Sequence, residues 1–234
     1  MPIAFQHQYQ PLPTCWREEY IVTKCRDRRV LDLGFMDAEL TEEKVRDGSH
    51  LHMILRKFST SLAGIDIDRS RRDLLPPDDE NYQLHFGDVE DPATYAPLAG
   101  REFDVIVVGE ILEHLNNPGL FLQAVRQVMS DQTHLIVTVP NAFRYHNLGF
   151  AMKGIEMVHP DHNFWYSPTT IQTLLNRNGY DIEELLAYTL GADERPELMG
   201  PANLMAIGLV VASTLTPPGQ SPRRWHGVTS SMPK

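Results

Sequence analysis

Cysteine and basic residues are both scarce in this chain. Only Cys15 and Cys25 occur among 234 residues, so there is neither a paired CxxC metal motif nor a disulfide framework. The 21 Lys and Arg face 31 Asp and Glu, which gives a formal net charge of −10. Nucleic acids and anionic membranes are bound through many cations, so this deficit argues against both as partners. The cysteine usage favours a reducing compartment, and we expect a cytoplasmic protein.

Long hydrophobic runs are also missing. The apolar stretch at 204–212 is far shorter than the ~20 residues that span a bilayer. The N-terminus has no basic stretch followed by an apolar one, so we predict no signal peptide. Apolar residues make up 42% and charged residues 22%, which is typical of a soluble globular protein.

Five short apolar segments predict buried strands. Each is rich in β-branched residues and apolar on both faces, which is typical of a parallel sheet covered by helices. Two later apolar segments are candidates for extra strands at one edge of that sheet, and pairing as a hairpin would make the sheet mixed. The five segments are 30–33, 61–65, 82–86, 103–108 and 134–139, and the two later ones are 182–188 and 203–212.

Helical patterns lie between these strands. Apolar residues recur at helical spacing over 50–58, with Ser49 as the predicted N-cap. Asn-Pro at 117–118 and Ser-Pro at 167–168 open two further helices, and Gly179 is predicted to end the last. The alternation predicts a doubly wound α/β fold, with a mostly parallel seven-stranded sheet and helices on both faces.

The residues that follow the strands are the candidate ligand contacts, because open α/β sheets bind ligands at the carboxyl ends of their strands. Gly34 allows close backbone approach. Asp66 can accept hydrogen bonds from both hydroxyls of a ribose, and Asp88 from an exocyclic amine. Taken singly, each acid is better interpreted as a cap or a solvated turn residue. Their ordered occurrence at successive strand ends favours a binding site.

Four segments carry a family resemblance. They are Val-Leu-Asp-Leu-Gly at 30–34, Gly-Ile-Asp-Ile-Asp at 64–68, Gly-Asp-Val-Glu at 87–90, and the segment 103–115, which ends in Glu-Ile-Leu-Glu-His-Leu. Over roughly residues 28–190, the chain resembles the class I S-adenosylmethionine-dependent methyltransferases, and among them the broad small-molecule group. The resemblance implies their Rossmann-like fold and S-adenosylmethionine as the cofactor.

The resemblance also implies which residues contact the cofactor. Asp66 would bind the ribose and Asp88 the adenine amine, while Ile67 and Val89 would sandwich the adenine ring. The residues implied to lie beside the methionine part are Asp32, Gly34, Phe35, Gly109 and Glu110.

One departure from the family pattern leaves two interpretations open. Most members continue the first strand with alternating glycines, whereas here Gly34 is followed by Phe-Met-Asp-Ala at 35–38. S-adenosylmethionine has no pyrophosphate and needs no amide nest, so the loop can still hold it. Alternatively, Met36 fills the methionine pocket and the protein is an inactive relative. We favour retained binding.

Three histidines are the candidate catalytic residues. Methyl transfer to an alcohol needs a general base, and imidazole suits that role because its reference pKa is ~6.5. His114 follows the fourth strand, with a core or capping histidine as the alternative. His159 and His162 lie in the segment 158–167, whose mixture of imidazoles, carboxylate and aromatics is typical of a binding site.

Four residues are predicted to contact the acceptor: Tyr145, Asp161, Trp165 and Tyr166. The alternatives are a solvated loop for Tyr145 and a packing role for the two aromatic residues at 165 and 166. A metal site of His159, Asp161 and His162 is less favoured, because the spacing does not match a helical HxxxH pair and no fourth ligand is evident. No metal is therefore predicted.

The domain organisation follows from these assignments. We predict a methyltransferase domain at 28–214 and a flexible tail at 215–234, which is rich in Pro and Ser. Residues 1–27 are predicted to form a lid or strap over the site, as in similar enzymes, with a homodimer contact as the alternative. The aromatic residues of this segment are Phe5, Tyr9, Trp16 and Tyr20.

The favoured function is O-methylation of a small molecule, such as a sugar or secondary metabolite, with a histidine as general base. A nicotinamide-dependent oxidoreductase is the first alternative, but the GxGxxG loop that it needs is missing. The second is an enzyme that performs other chemistry on S-adenosylmethionine. The third is a non-catalytic subunit with the same fold.

Overall fold

The computed structural model describes residues 6–189, 203, 206, 208–225 and 228–231. A two-stranded antiparallel sheet pairs β1 with β10, and the other eight strands form one sheet. The strands are β1 (Gln6–Tyr9), β2 (Thr14–Trp16), β3 (Arg29–Leu33), β4 (Ser61–Asp66), β5 (Tyr82–Phe86), β6 (Val105–Gly109), β7 (His134–Pro140), β8 (Tyr180–Thr189), β9 (Gly208–Leu215) and β10 (Val228–Ser231).

The eight-stranded sheet has the order β2-β8-β9-β7-β6-β3-β4-β5. Its pairs are parallel except that β9 runs antiparallel to both neighbours, β7 and β8. The predicted α/β architecture is confirmed, with the hairpin of β8 and β9 inserted as expected. The predicted strand number of seven is wrong by one, because the three-residue β2 adds an eighth strand parallel to β8.

Among the described residues, six α-helices connect the strands, and two of them begin at the predicted prolines, Pro118 and Pro168. The Asn117 side chain accepts a hydrogen bond from the backbone N–H of Leu120 (3.1 Å), and the Ser167 side chain accepts one from that of Thr170 (3.2 Å). The helices are α1 (Arg17–Cys25), α2 (Thr41–Asp47), α3 (Leu51–Phe58), α4 (Pro118–Ala124), α5 (Tyr145–Ala151) and α6 (Pro168–Arg177). Across the described residues, no helix combines the length and the apolar character needed to cross a membrane.

The predicted ends of two helices have different outcomes. The Ser49 cap is wrong: His50 occupies the N-cap position of α3, and the backbone N–H of Ser49 instead donates to the Asp47 carboxylate (2.9 Å). Gly179 follows α6 with φ +80°, a left-handed conformation that favours glycine. The predicted stop at this residue is therefore confirmed.

Two hydrophobic clusters cover the two faces of the sheet. In β6, Ile106 and Val108 belong to one cluster, while Val105 and Val107 belong to the other. Successive side chains of a strand point to opposite faces, so this division shows that β6 is buried on both sides. The continuous apolar character of the strand sequence is thereby explained.

The terminal segments both contact the domain. The Arg223 side chain donates to the buried Asp181 carboxylate (2.8 Å), and Trp225 packs against the cluster that contains Ile106. Tyr9 Oη lies 2.7 Å from Thr169 Oγ1. The segment 215–234 is thus held at these positions, and its flexibility stays a prediction. Phe5 lies outside the described residues.

Candidate functional site

The carboxyl ends of the parallel strands β3, β4 and β6 meet at one edge of the sheet. Leu33 of β3 is paired with Ile65 of β4 on one side and with Val108 of β6 on the other. This register brings the predicted residues Gly34, Asp66 and Gly109 to the same edge, where open α/β sheets bind their ligands.

Gly34 occupies a position that only glycine fits. Its φ is +71°, and its N–H donates to the Ile65 carbonyl (2.9 Å). A Cβ added to Gly34 would lie 2.1 Å from Cγ2 of Ile111, in the loop after β6. The backbone at Gly34 therefore packs directly against Ile111, and no side chain would fit between them.

Asp66 holds the loop at 35–38, where the family's glycine run is missing. Its Oδ2 accepts from the backbone N–H of Met36 (2.8 Å), and its Oδ1 accepts from that of Asp68 (2.7 Å). Burial raises the pKa of the Asp66 carboxyl, while these two bonds oppose the shift. The carboxylate thus fixes two adjacent loops of the edge, and each oxygen retains a second lone pair for a ligand hydroxyl.

Phe35 and Asp32 are turned into the fold, and their contact with the cofactor stays a prediction. The Phe35 ring stacks on that of His52, with centroids 4.5 Å apart, and is buried in the cluster that contains Val107. Asp32 is buried, and its Oδ2 lies 2.9 Å from Nδ1 of His52. Met36 packs, half-buried, on the same cluster.

The two residues predicted to sandwich an adenine ring differ in exposure. Ile67 leaves 73% of its surface exposed, whereas Val89 is buried in the core. In the loop after β5, Asp88 is exposed and its Oδ1 accepts from the backbone N–H of Glu90 (2.9 Å). An apolar surface for a ring is thus available at Ile67, with an acceptor oxygen of Asp88 in the next loop.

Two acidic side chains follow β6 in a poorly solvated environment. Glu110 adopts φ +56°, and its Oε1 is buried without a hydrogen-bond partner. Burial raises the pKa of Glu110, while the charge of Arg17 opposes the shift. Burial and then the charge of Glu110 raise the pKa of Glu113 to about 8. Poor solvation therefore disfavours the charged form of both carboxyls.

Arg17 is a site residue that the sequence analysis missed. Its Nε donates to Thr138 Oγ1 (3.0 Å), and its Nη2 lies 2.8 Å from the position of a Cβ added to Gly109. The first residue of α1 therefore places a cation over the end of β6, beside Glu110. Tyr188 of β8 is a further polar neighbour of Glu110 that was missed. No spacing in the sequence indicates either residue.

The three predicted histidines come together. The ring centroids of His114 and His162 are 4.6 Å apart, and that of His159 lies 5.7 Å and 5.4 Å from them, respectively. His114 lies in a turn before α4, not in a helix. Burial, followed by the neighbouring imidazoles, lowers the pKa of His114 and of His162. Both rings are therefore mostly neutral at pH 7, a form that can accept a proton or bind a metal.

The four predicted acceptor contacts have different positions. Tyr166 is buried and its hydroxyl donates to the Leu112 carbonyl (3.3 Å), which favours the packing role over contact with the acceptor. Trp165 is partly exposed, with its ring centroid 6.5 Å from that of His162. Tyr145 is exposed at the start of α5, and Asp161 is exposed beside His159.

A cavity of about 440 Å³ borders the histidines through Trp165. Ala142, Leu148 and Met157 contribute apolar surface to it, and its size suits a small molecule. A larger open groove of about 750 Å³ lies at the amino ends of β4 and β5, beside Ser61 and Tyr82. That groove is at the opposite edge of the sheet from the residues described above.

A protein-family model described as a methyltransferase domain matches residues 5–185, which is most of the chain. No curated protein is similar to it in sequence at a significant level.

Solved structures of methyltransferases share the fold. An S-adenosylmethionine-dependent methyltransferase from Mesorhizobium loti superimposes with a TM-score of 0.54 at 15% identity, covering 85% of this chain and 95% of that one. Magnesium protoporphyrin IX methyltransferase from Synechocystis, with bound SAH, has a TM-score of 0.55 at 12% identity, covering 86% of this chain and 82% of that one. The small RNA methyltransferase HEN1 gives 0.56 at 14% identity, covering 92% of this chain and 26% of that one.

Proposed function

The chain belongs to the methyltransferase domain family, and on that premise we propose that it transfers a methyl group from S-adenosylmethionine to a hydroxyl oxygen of a small molecule. The observation that carries the proposal is the edge of the sheet at which Gly34, Asp66, Ile67 and Glu110 lie together with the histidine cluster. This arrangement provides both a cofactor cleft and a group able to activate an alcohol.

The residues of the cleft fit the cofactor. The exposed Ile67 offers an apolar surface to the adenine, and the free lone pairs of Asp66 can accept from the ribose hydroxyls. Ile111 and Arg17 occupy the spaces that side chains at Gly34 and Gly109 would fill, so these two side chains would lie beside the methionine part. Arg17 supplies a cation for a carboxylate, and the buried, unpartnered Oε1 of Glu110 supplies an acceptor for an ammonium group.

The acceptor is proposed to be small and partly apolar. The cavity beside Trp165 has a volume suited to a small molecule, and the net charge of −10 argues against a nucleic acid. In the segment 143–165, exposed apolar side chains include Phe143, Leu148 and Met157. These would contact the body of the acceptor, while its hydroxyl faces the imidazoles.

The chain contributes alignment and proton removal. When bound, S-adenosylmethionine supplies an electrophilic methyl group. The loops held by Asp66 orient the cofactor, and α1 with Arg17 covers the end of β6 and limits access of water. A neutral imidazole of the cluster would orient the acceptor hydroxyl and take up its proton.

The proposal is tested with S-adenosylmethionine labelled in its methyl group and a panel of hydroxyl, amine and carboxylate small molecules. We expect label on a hydroxylated compound and release of S-adenosylhomocysteine that depends on it. His162→Asn should lower kcat by ~10²–10⁴-fold, the usual contribution of a general base. His134→Asn, an exposed histidine at the amino end of β7, is the control and should retain activity.

Two results would contradict this function. Label transfer confined to amines or to RNA would exclude O-methylation of a small molecule. Breakdown of the cofactor without any acceptor would instead support other chemistry on S-adenosylmethionine.

A further inference from the structure

The histidine cluster has the composition and spacing of a metal site. One ligand nitrogen from each of His114, His159 and His162 can be chosen such that all three lie within 4.8 Å of one another. Tetrahedral Zn²⁺ holds nitrogen ligands at ~2.0–2.1 Å, so two ligands of one ion are separated by roughly 3.4 Å. Small rotations of the three rings would close the remaining gap.

We propose that His114, His159 and His162 bind a divalent transition-metal ion of the Zn²⁺ type. Imidazole nitrogen is a preferred ligand of such ions, and three imidazoles without a fourth protein ligand are typical of catalytic rather than structural zinc sites. Asp161 is not part of this set: it is 77% exposed at its side chain, and its Oδ2 lies 3.9 Å from His159 Nδ1.

The backbone holds the two segments of the site together before any ion binds. The N–H of Asn163 donates to the Glu113 carbonyl (2.7 Å), and its side-chain amide donates to the His114 carbonyl (3.0 Å). Within the second segment, the His162 N–H donates to the His159 carbonyl (3.0 Å). Because these bonds hold the main chain beside the three ligands, binding requires ring rotation and little movement of the chain.

The site has an open side for a further ligand. His159 is exposed, and the other two histidines are partly exposed, so a water or an acceptor oxygen could complete the coordination. Such an ion would lower the pKa of a bound hydroxyl and thereby do the work assigned above to a free imidazole. This role rests on the proposed function, whereas metal binding itself does not.

The test is a titration of the untagged, chelator-treated full chain with Co²⁺ and Zn²⁺, without cofactor or acceptor. We expect one ion per chain and the intense visible bands of tetrahedral Co²⁺. His114→Asn, His159→Asn and His162→Asn should each weaken binding by at least tenfold, the lower end of what loss of even an outer-shell partner costs. His134→Asn and His146→Asn are the controls, and they should bind the ion with the same affinity as the unchanged protein.

Failure of the metal proposal is distinguishable from failure of the methyltransferase proposal. Absence of Co²⁺ bands, or equal affinity in the three cluster variants and the two controls, would overturn the metal site. His159→Asn should fold even if His114→Asn does not, because His159 is exposed. S-adenosylmethionine binding, measured on the same preparations, should persist with or without the ion.

Discussion

Gly34→Ala is expected to destabilise the protein by about 2–5 kcal/mol and to abolish detectable cofactor binding. An L-residue in the left-handed region costs about 1–2 kcal/mol, and overpacking a closed contact adds about 1–3 kcal/mol. Both apply here, because φ is +71° and the new Cβ would lie 2.1 Å from Ile111 Cγ2. Urea unfolding measures the first effect, and titration with S-adenosylmethionine measures the second.

Gly48→Ala is a matched control for this variant. Gly48 also has a positive φ, of +84°, but nothing lies within 4 Å of its added Cβ. It should therefore show only the conformational cost, and the difference between the two variants isolates the contact with Ile111. The double variant Gly34→Ala with Ile111→Ala should recover part of that difference. Equal destabilisation in the two single variants would show that the contact is not made in solution.

Asp66→Ala should weaken binding of S-adenosylmethionine by about 1–3 kcal/mol, or roughly 5–150-fold. The substitution removes the acceptor proposed for the ribose. It also frees the N–H groups of Met36 and Asp68, which the carboxylate now holds at 2.8 Å and 2.7 Å. We therefore expect lower stability to accompany the lower affinity, and calorimetry with thermal unfolding measures both.

Two further variants separate these effects. Asp66→Asn preserves the shape and one acceptor oxygen but places an amide group against one N–H donor. Its affinity for S-adenosylmethionine should therefore fall between that of the unchanged protein and that of Asp66→Ala. Asp131→Ala removes an exposed carboxyl before β7, at the opposite end of the sheet, and should change neither quantity. Unchanged affinity in Asp66→Ala would show that the end of β4 does not bind the cofactor.

The strands of the sheet were predictable because their signal is local. Segments such as 105–108 are continuously apolar and β-branched, as is typical of a strand that is buried on both faces. β2 has only three residues, too few for any periodicity, and its pairing with β8 depends on contacts across more than 170 residues. The N-cap of α3 was missed by one residue because His50 makes no side-chain capping bond and so gives no capping signal in the sequence.

The site was predictable where the strand end alone determines position. Gly34 and Asp66 are placed by the strands that precede them, so their location follows from the sheet. The direction of a side chain does not: Asp32 and Phe35 face inward because His52, from α3, packs against both. Arg17 reaches the site from a helix separated by more than 100 residues from Thr138, and no local pattern encodes that contact.

Calorimetric titration of the unchanged protein with S-adenosylmethionine and S-adenosylhomocysteine tests the central claim most directly. The account predicts one site per chain with a micromolar Kd for each compound, or about −8 kcal/mol. Such binding would show that the protein binds the cofactor although its loop at 35–38 lacks the glycines of most family members. The absence of binding of either compound at millimolar concentration would contradict the account and favour a non-catalytic member of the methyltransferase domain family.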